Sequence, residues 1–77
     1  MISGAQIRAA RALIGWSGEE LARSSGVSLA TIRRFEKYAG VPPSRSEHLV
    51  RIQKVLEGAG IEFVGEPDRR PGVRLSE

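Results

Sequence analysis

Arg33, Arg34 and Lys37 lie close together in a stretch without Gly or Pro, and the chemistry open to them is donation to acceptor-rich or anionic partners. A guanidinium offers two parallel donors that match the O6 and N7 acceptors of guanine, while a lysine suits a phosphate. Projected at about 100° per residue, the segment Leu29 to Lys37 puts Ile32 and Phe35 on one side. Ala30, Arg33, Arg34 and Lys37 fall on the other. Such a charged face is most often simply solvated, so its meaning depends on the elements that position it.

Those elements are legible. Ser17 with Glu20 forms a capping-box pattern that opens a helix from about Gly18 to Ser24. Gly26 follows where the chain must reverse and suits the left-handed conformation that ends a helix, with Val27 next as an apolar plug. Ser28 is the N-cap expected for a second helix, Leu29 to about Lys37. A short helix, a Gly-containing turn and a basic second helix together describe a helix-turn-helix, whose second helix enters the DNA major groove.

The same residues carry a family resemblance. Leu21, Ala22, Gly26, Val27, Ile32 and Phe35 fall where the lambda-repressor-like (XRE-type) helix-turn-helix regulators carry core and turn residues. Ser-Leu-Ala-Thr-Ile-Arg-Arg-Phe-Glu-Lys resembles one of their recognition helices. The resemblance covers about residues 5 to 60. It implies DNA contacts from positions 28 to 31, 33, 34 and 37. Two residues depart from it. The first residue of the family's second helix is commonly Gln, which reaches a phosphate and braces the recognition helix, whereas this chain has Gly18. Ser25 stands where a small apolar residue is usual, so its hydroxyl needs a backbone partner.

The expected division of labour is specific. Arg34 and Arg33 read base edges, and Leu29 and Ala30 touch thymine methyls. Ser28, Thr31 and Lys37 serve phosphates, helped by backbone N–H groups at the start of the two helices, which brings in Ser17 and Gly18. Arg45, ahead of the fourth helix, is a further candidate for a phosphate.

The remaining helices close the core. Ser3 and Gln6 form another capping-box pair, opening a helix from Gly4 or Ala5 to about Ile14 with Ile7, Ala10, Leu13 and Ile14 inward. Arg8 and Arg11 lie elsewhere around it. Trp16, just before the Ser17 cap, reads as the apolar anchor that fixes how the next helix begins. Two consecutive prolines make Tyr38 to Arg45 a loop. Ser44 with Glu47, or Ser46 alone, caps a last helix with Leu49, Ile52, Val55, Leu56 and Ala59 inward, stopping at Gly60.

Composition bounds the class. With 77 residues, 40% of them hydrophobic, and no cysteine, the chain is one small domain without a disulfide or thiolate metal site. A chain of this size buries only roughly 60% of its unfolded surface, which favours dimerisation. The net charge is +3. Residues 1–45 hold seven Lys/Arg against three Glu, and residues 46–77 hold five against six acids, so the positive field belongs to the helix-turn-helix half. Met1 to Ala5 lacks the features of a secretion signal and no apolar run approaches a membrane span, so a cytoplasmic location is expected. His48, the one histidine, reads as a surface residue with no partners for a zinc set or a catalytic triad. The pairs Glu19/Glu20 and Glu62/Glu66 read as solvated. An enzyme is therefore not expected, nor a cofactor or a metal.

Beyond the helix-turn-helix domain, residues 1–60, the tail 61–77 reads as two short strands. Ile61 to Gly65 and Val73 to Leu75 flank a loop of about eight residues, and each strand has one apolar side. An isolated hairpin is marginal in water, so it packs on its own helices or pairs across a two-fold axis. The second arrangement is preferred, with Phe63, Val64, Val73 and Leu75 at a dimer interface. The expectation is a mainly α, four-helix lambda-repressor-like domain with a C-terminal β-hairpin or strand pair. Its function is sequence-specific binding of double-stranded DNA as a homodimeric regulator, with repression favoured over activation. An antitoxin-like or adaptor protein holding a protein partner through its tail or outer helices is the alternative. A pure interaction module, suggested by Gly18, is a third class.

Overall fold

In the computed structural model of the chain, which describes residues 1–43 and 46–76, four helices precede an antiparallel hairpin. The helices are α1 (Gly4–Leu13), α2 (Gly18–Ser25), α3 (Leu29–Phe35) and α4 (Ser46–Gly58); the strands are β1 (Ile61–Glu66) and β2 (Arg69–Leu75). The mainly α architecture is the expected one. The Ser44 cap falls outside the described residues.

Serine starts each of the first three helices by giving a free N–H an acceptor. Ser3 Oγ accepts from the Gln6 N–H at 3.0 Å and Gln6 Oε1 accepts from the Ser3 N–H at 2.9 Å. Ser17 and Glu20 repeat the exchange at 3.1 and 2.7 Å. Ser28 Oγ accepts from the Thr31 N–H at 3.2 Å. α2 ends at Gly26, whose φ of 75° suits a residue without Cβ and whose N–H donates to the Ala22 carbonyl. Ser25 is buried, and its hydroxyl finds the backbone partner it needs by accepting from the Val27 N–H at 3.2 Å.

The four helices and β1 enclose one core. Ile7, Leu21, Ile32, Phe35, Leu49, Ile52 and Leu56 are fully buried, each contributing about 1.5–3 kcal/mol by leaving water. Trp16 packs against the margin of this cluster, as an anchor ahead of α2 should. Val55 also packs on it, and Ala59 is half-buried just beyond α4. Leu13 departs from the expected stripe and is 44% exposed. It lies on the Gln6 side of α1, two turns further along. The buried positions of α1 are instead Gly4, Gln6, Ile7 and Ala10. Gly4 is buried because the start of α1 abuts the end of α3. Its N–H donates to the Gly40 carbonyl at 2.9 Å, and any Cβ there would overlap the Phe35 and Tyr38 carbonyl oxygens.

The strands pair with each other within the chain, in the register Ile61↔Leu75, Phe63↔Val73 and Val64↔Gly72. They are longer than expected, and the loop is shorter. Glu66 pairs with Arg69, leaving Pro67 and Asp68 to reverse the chain. An irregularity between Val64 and Glu66, with Arg70 at a φ of 53°, absorbs the residue that would otherwise break the pairing. Across the exposed face, Arg74 holds Glu62 through two bonds of 2.9 and 3.0 Å. The Arg74 guanidinium lowers the Glu62 carboxyl from its ordinary value, chiefly through that hydrogen bonding.

One side chain seats the hairpin. Gln6 is buried, and after its oxygen has capped α1 its amide nitrogen donates to the Val64 and Gly72 carbonyls, at 3.2 and 3.0 Å. These two residues face one another in the hairpin register, so a single amide bridges both strands. Gln6→Ala leaves both carbonyls and one cap donor without their partner. It should lower the free energy of unfolding by about 1–3 kcal/mol, read by urea titration, with hydrogen exchange rising first in β1 and β2.

Candidate nucleic-acid interface

α3 is seven residues long, too short to persist alone, and is held at both ends. Ser28 caps its start. Its middle is anchored by the buried Ile32 and Phe35. Its end is gripped by α1: Arg11 Nε and Nη2 donate to the two carboxylate oxygens of Glu36 at 3.0 and 2.9 Å, and Arg11 Nη1 donates to the Trp16 carbonyl at 3.0 Å. Arg8 Nη1 donates to the Glu36 carbonyl at 3.2 Å. The ion-paired side chains are 23% and 12% exposed. Hydrogen bonding to Glu36 raises the Arg11 pKa above its already high ordinary value, outweighing the opposing effect of burial.

This grip explains where α3 stops. The helix was expected to run to Lys37 but ends at Phe35, with Glu36 as its C-cap and Lys37 in the following turn. The Glu36 carbonyl serves Arg8 rather than a further helical turn. Arg8 and Arg11, unassigned in the sequence reading, thus set the end of the basic helix. Their signal was weak, because opposite charges 25 residues apart share no helical period.

Opposite the core, α3 presents Ala30, Arg33 and Arg34, all exposed, with Leu29 and Thr31 half-buried beside them. Exposed Lys37 follows directly. Neither of the two ion pairs among the described residues engages Arg33, Arg34 or Lys37. Arg34 rests with its guanidinium carbon 5.6 Å from the centroid of the Phe35 ring, a cation–π contact of about 0.5–1 kcal/mol at an exposed site. Ser28 Oγ and Thr31 Oγ1 are hydrogen-bonded to each other at 2.9 Å, so the two hydroxyls stand together at the exposed start of α3.

At the start of α2, Ser17 is exposed and Gly18 is half-buried, the latter beside Leu29 at the start of α3. The capping box occupies the Ser17 and Glu20 N–H groups. Arg45 lies outside the described residues. Of the hairpin residues, Phe63 and Val73 pack on the chain's own core, Val64 is half-buried and Leu75 is 51% exposed.

One member of each acidic pair has a structural partner, Glu20 in a cap and Glu62 with Arg74, while Glu19 and Glu66 are exposed. His48 is half-buried on α4 rather than fully on the surface. Among the described residues no group of three or more His, Asp or Glu side chains is placed to hold a metal ion. No helix among them is long and apolar enough to cross a membrane.

A capped helix, a left-handed glycine turn and an exposed basic second helix define a DNA-binding helix-turn-helix. The profile of the helix-turn-helix family matches residues 7–58, about two thirds of the chain. The chain therefore belongs to the lambda-repressor-like, XRE-type helix-turn-helix family of DNA-binding regulators. Comparison with curated proteins gives no match.

Because the grip on Glu36 fixes the end of α3, Arg11→Ala should destabilise the fold by about 1.5–3 kcal/mol in urea titration. Amide protection should fall first across Ile32 to Tyr38. A loss below about 0.5 kcal/mol would mean that the pair behaves as an ordinary surface salt bridge.

Proposed function

We propose that the chain binds double-stranded DNA sequence-specifically, without catalysis, and represses transcription by occluding a promoter. The observation that carries this reading is the exposed side of α3, where Arg33 and Arg34 have no acidic partner among the described residues on a helix fixed at both ends. In the major groove Arg34 and Arg33 donate to guanine O6 and N7, and Leu29 and Ala30 meet thymine methyls. Ser28, Thr31 and Lys37 hold phosphates, together with Arg45 and the Gly18 and Glu19 backbone N–H groups, which the Ser17–Glu20 cap does not occupy. Arg34 gives up its rest on the Phe35 ring to do so, a cost well below the return from a bidentate base contact. A DNA target implies a cytoplasmic site of action.

Repression of this kind works best with two copies on a two-fold-related site. One protomer measures 27 × 26 × 18 Å, less than the roughly 34 Å between successive half-sites, so two copies have room on adjacent half-sites. The hairpin is the favoured contact. Its half-exposed Leu75 is available for it, on the face whose other members Phe63 and Val73 pack on the chain's own core, while half-buried Val64 stands on the opposite face with Glu62 and Arg74.

Two measurements test these readings. In fluorescence anisotropy with duplex DNA selected from a random pool, Arg34→Ala should cost about 1–3 kcal/mol on the selected duplex and little on shuffled DNA. Lys37→Ala should weaken both alike and reduce the salt slope by about one. Equal, weak wild-type binding to both duplexes would leave charge as the only attraction. In sedimentation at micromolar concentration the chain should run as a dimer, and Leu75→Glu should shift it toward monomer. A wild-type monomer that persists through a tenfold rise in concentration would remove the dimer.

A further inference from the structure

Gly18, the first residue of α2, lies beside Leu29, the first residue of α3. A Cβ at Gly18 would stand 2.9 Å from Leu29 Cδ1, closer than two carbons pack. Leu29 Cδ1 is also the one atom outside the helix's own backbone and neighbouring residues that such a Cβ would meet within 4 Å. The backbone of Gly18 does not demand glycine, since it is an ordinary helical residue outside the positive-φ positions. What its missing side chain provides is room. The Leu29 side chain uses that room and is half-buried, at the edge of the surface that carries Ala30, Arg33 and Arg34.

We propose that Gly18 is a specificity-determining position that acts through Leu29: the space it leaves seats Leu29 across the start of α2, and that seat aims the side chain at a thymine methyl. The proposal rests on the reading of α3 as the DNA-contacting helix. Gly18 is then a positioning residue, and Leu29 makes the contact. A seated side chain has already lost rotamer freedom in the unbound protein, so less is lost on binding. A larger residue at position 18 displaces the end of a flexible side chain rather than backbone, so the fold tolerates it while the reading surface changes. The pair therefore couples the two helices through shape alone.

The test uses the full chain as wild type, Gly18→Ala, Leu29→Ala and the double variant. Without DNA, the Leu29 methyl resonances should move in Gly18→Ala, whose melting temperature should not fall. With the duplex selected by the wild type, each thymine is replaced in turn by deoxyuridine, which removes only its methyl group. The wild type should lose about fourfold in affinity at one thymine per half-site, the equivalent of one methyl group leaving water. In Gly18→Ala the loss should shrink below about twofold or move to another thymine, and in Leu29→Ala it should vanish whether or not Gly18 is changed. Unmoved methyl resonances, an equal deoxyuridine penalty in wild type and Gly18→Ala, or a Gly18→Ala chain that fails to fold would each overturn the proposal. Failure of the wild type to select any duplex is a different result: it overturns the DNA reading, and the proposal with it.

Discussion

The bidentate bond between Arg11 and Glu36 is the constraint on which the rest of the surface depends. A helix of seven residues has too few internal hydrogen bonds to repay its nucleation, so α3 exists because tertiary contacts hold it. Ile32 and Phe35 fix its rotation by burying one side. They do not fix where it ends. Arg11 and Arg8, reaching from α1 to the carboxylate and carbonyl of Glu36, set that position, and with it the disposition of Arg33, Arg34 and Lys37. The fork of the guanidinium matters here, because two parallel bonds define an orientation that a single ammonium contact would leave free.

A second constraint runs the other way from the same helix. α1 meets α3 at Gly4, where backbone touches backbone, and holds the hairpin through Gln6. The hairpin in turn covers the core with Ile61, Phe63 and Val73. For a short chain without a disulfide this is a considerable addition, since the apolar side of a two-stranded sheet stays folded only when something covers it. The α1 face carries these contacts in an order: capping box, hairpin bridge, core and grip on α3. Its polar residues therefore bear as much of the architecture as its apolar ones.

Charge is divided to match. Two of the three acids in the helical half are engaged structurally, Glu20 in a cap and Glu36 in the grip, while the exposed cations of α3 are left unneutralised among the described ion pairs. An interface for a polyanion needs that asymmetry more than it needs a high net charge, because nearby carboxylates would cancel the local field. The start of the same helix, Leu29 and Ala30, is aliphatic, and Leu29 sits against Gly18, where a side chain would displace it.

Much of this was legible in local sequence. Ser3, Ser17 and Ser28 as caps, Gly26 as the left-handed stop, and Ile32 and Phe35 as the buried side of α3 are decided within a few residues, where capping geometry and the helical period act. The two strands were legible from alternation, but not their length, because the pairing of Glu66 with Arg69 depends on an irregularity that alternation does not encode. Tertiary structure alone decided that Gln6 bridges Val64 to Gly72, that Leu13 is left exposed, that α3 stops at Phe35, and that Leu29 rests against Gly18. The physical reason is common to all four. A cap or a period is a property of neighbours along the chain, whereas a donor's acceptor or a methyl's resting place is chosen among groups that only folding brings together.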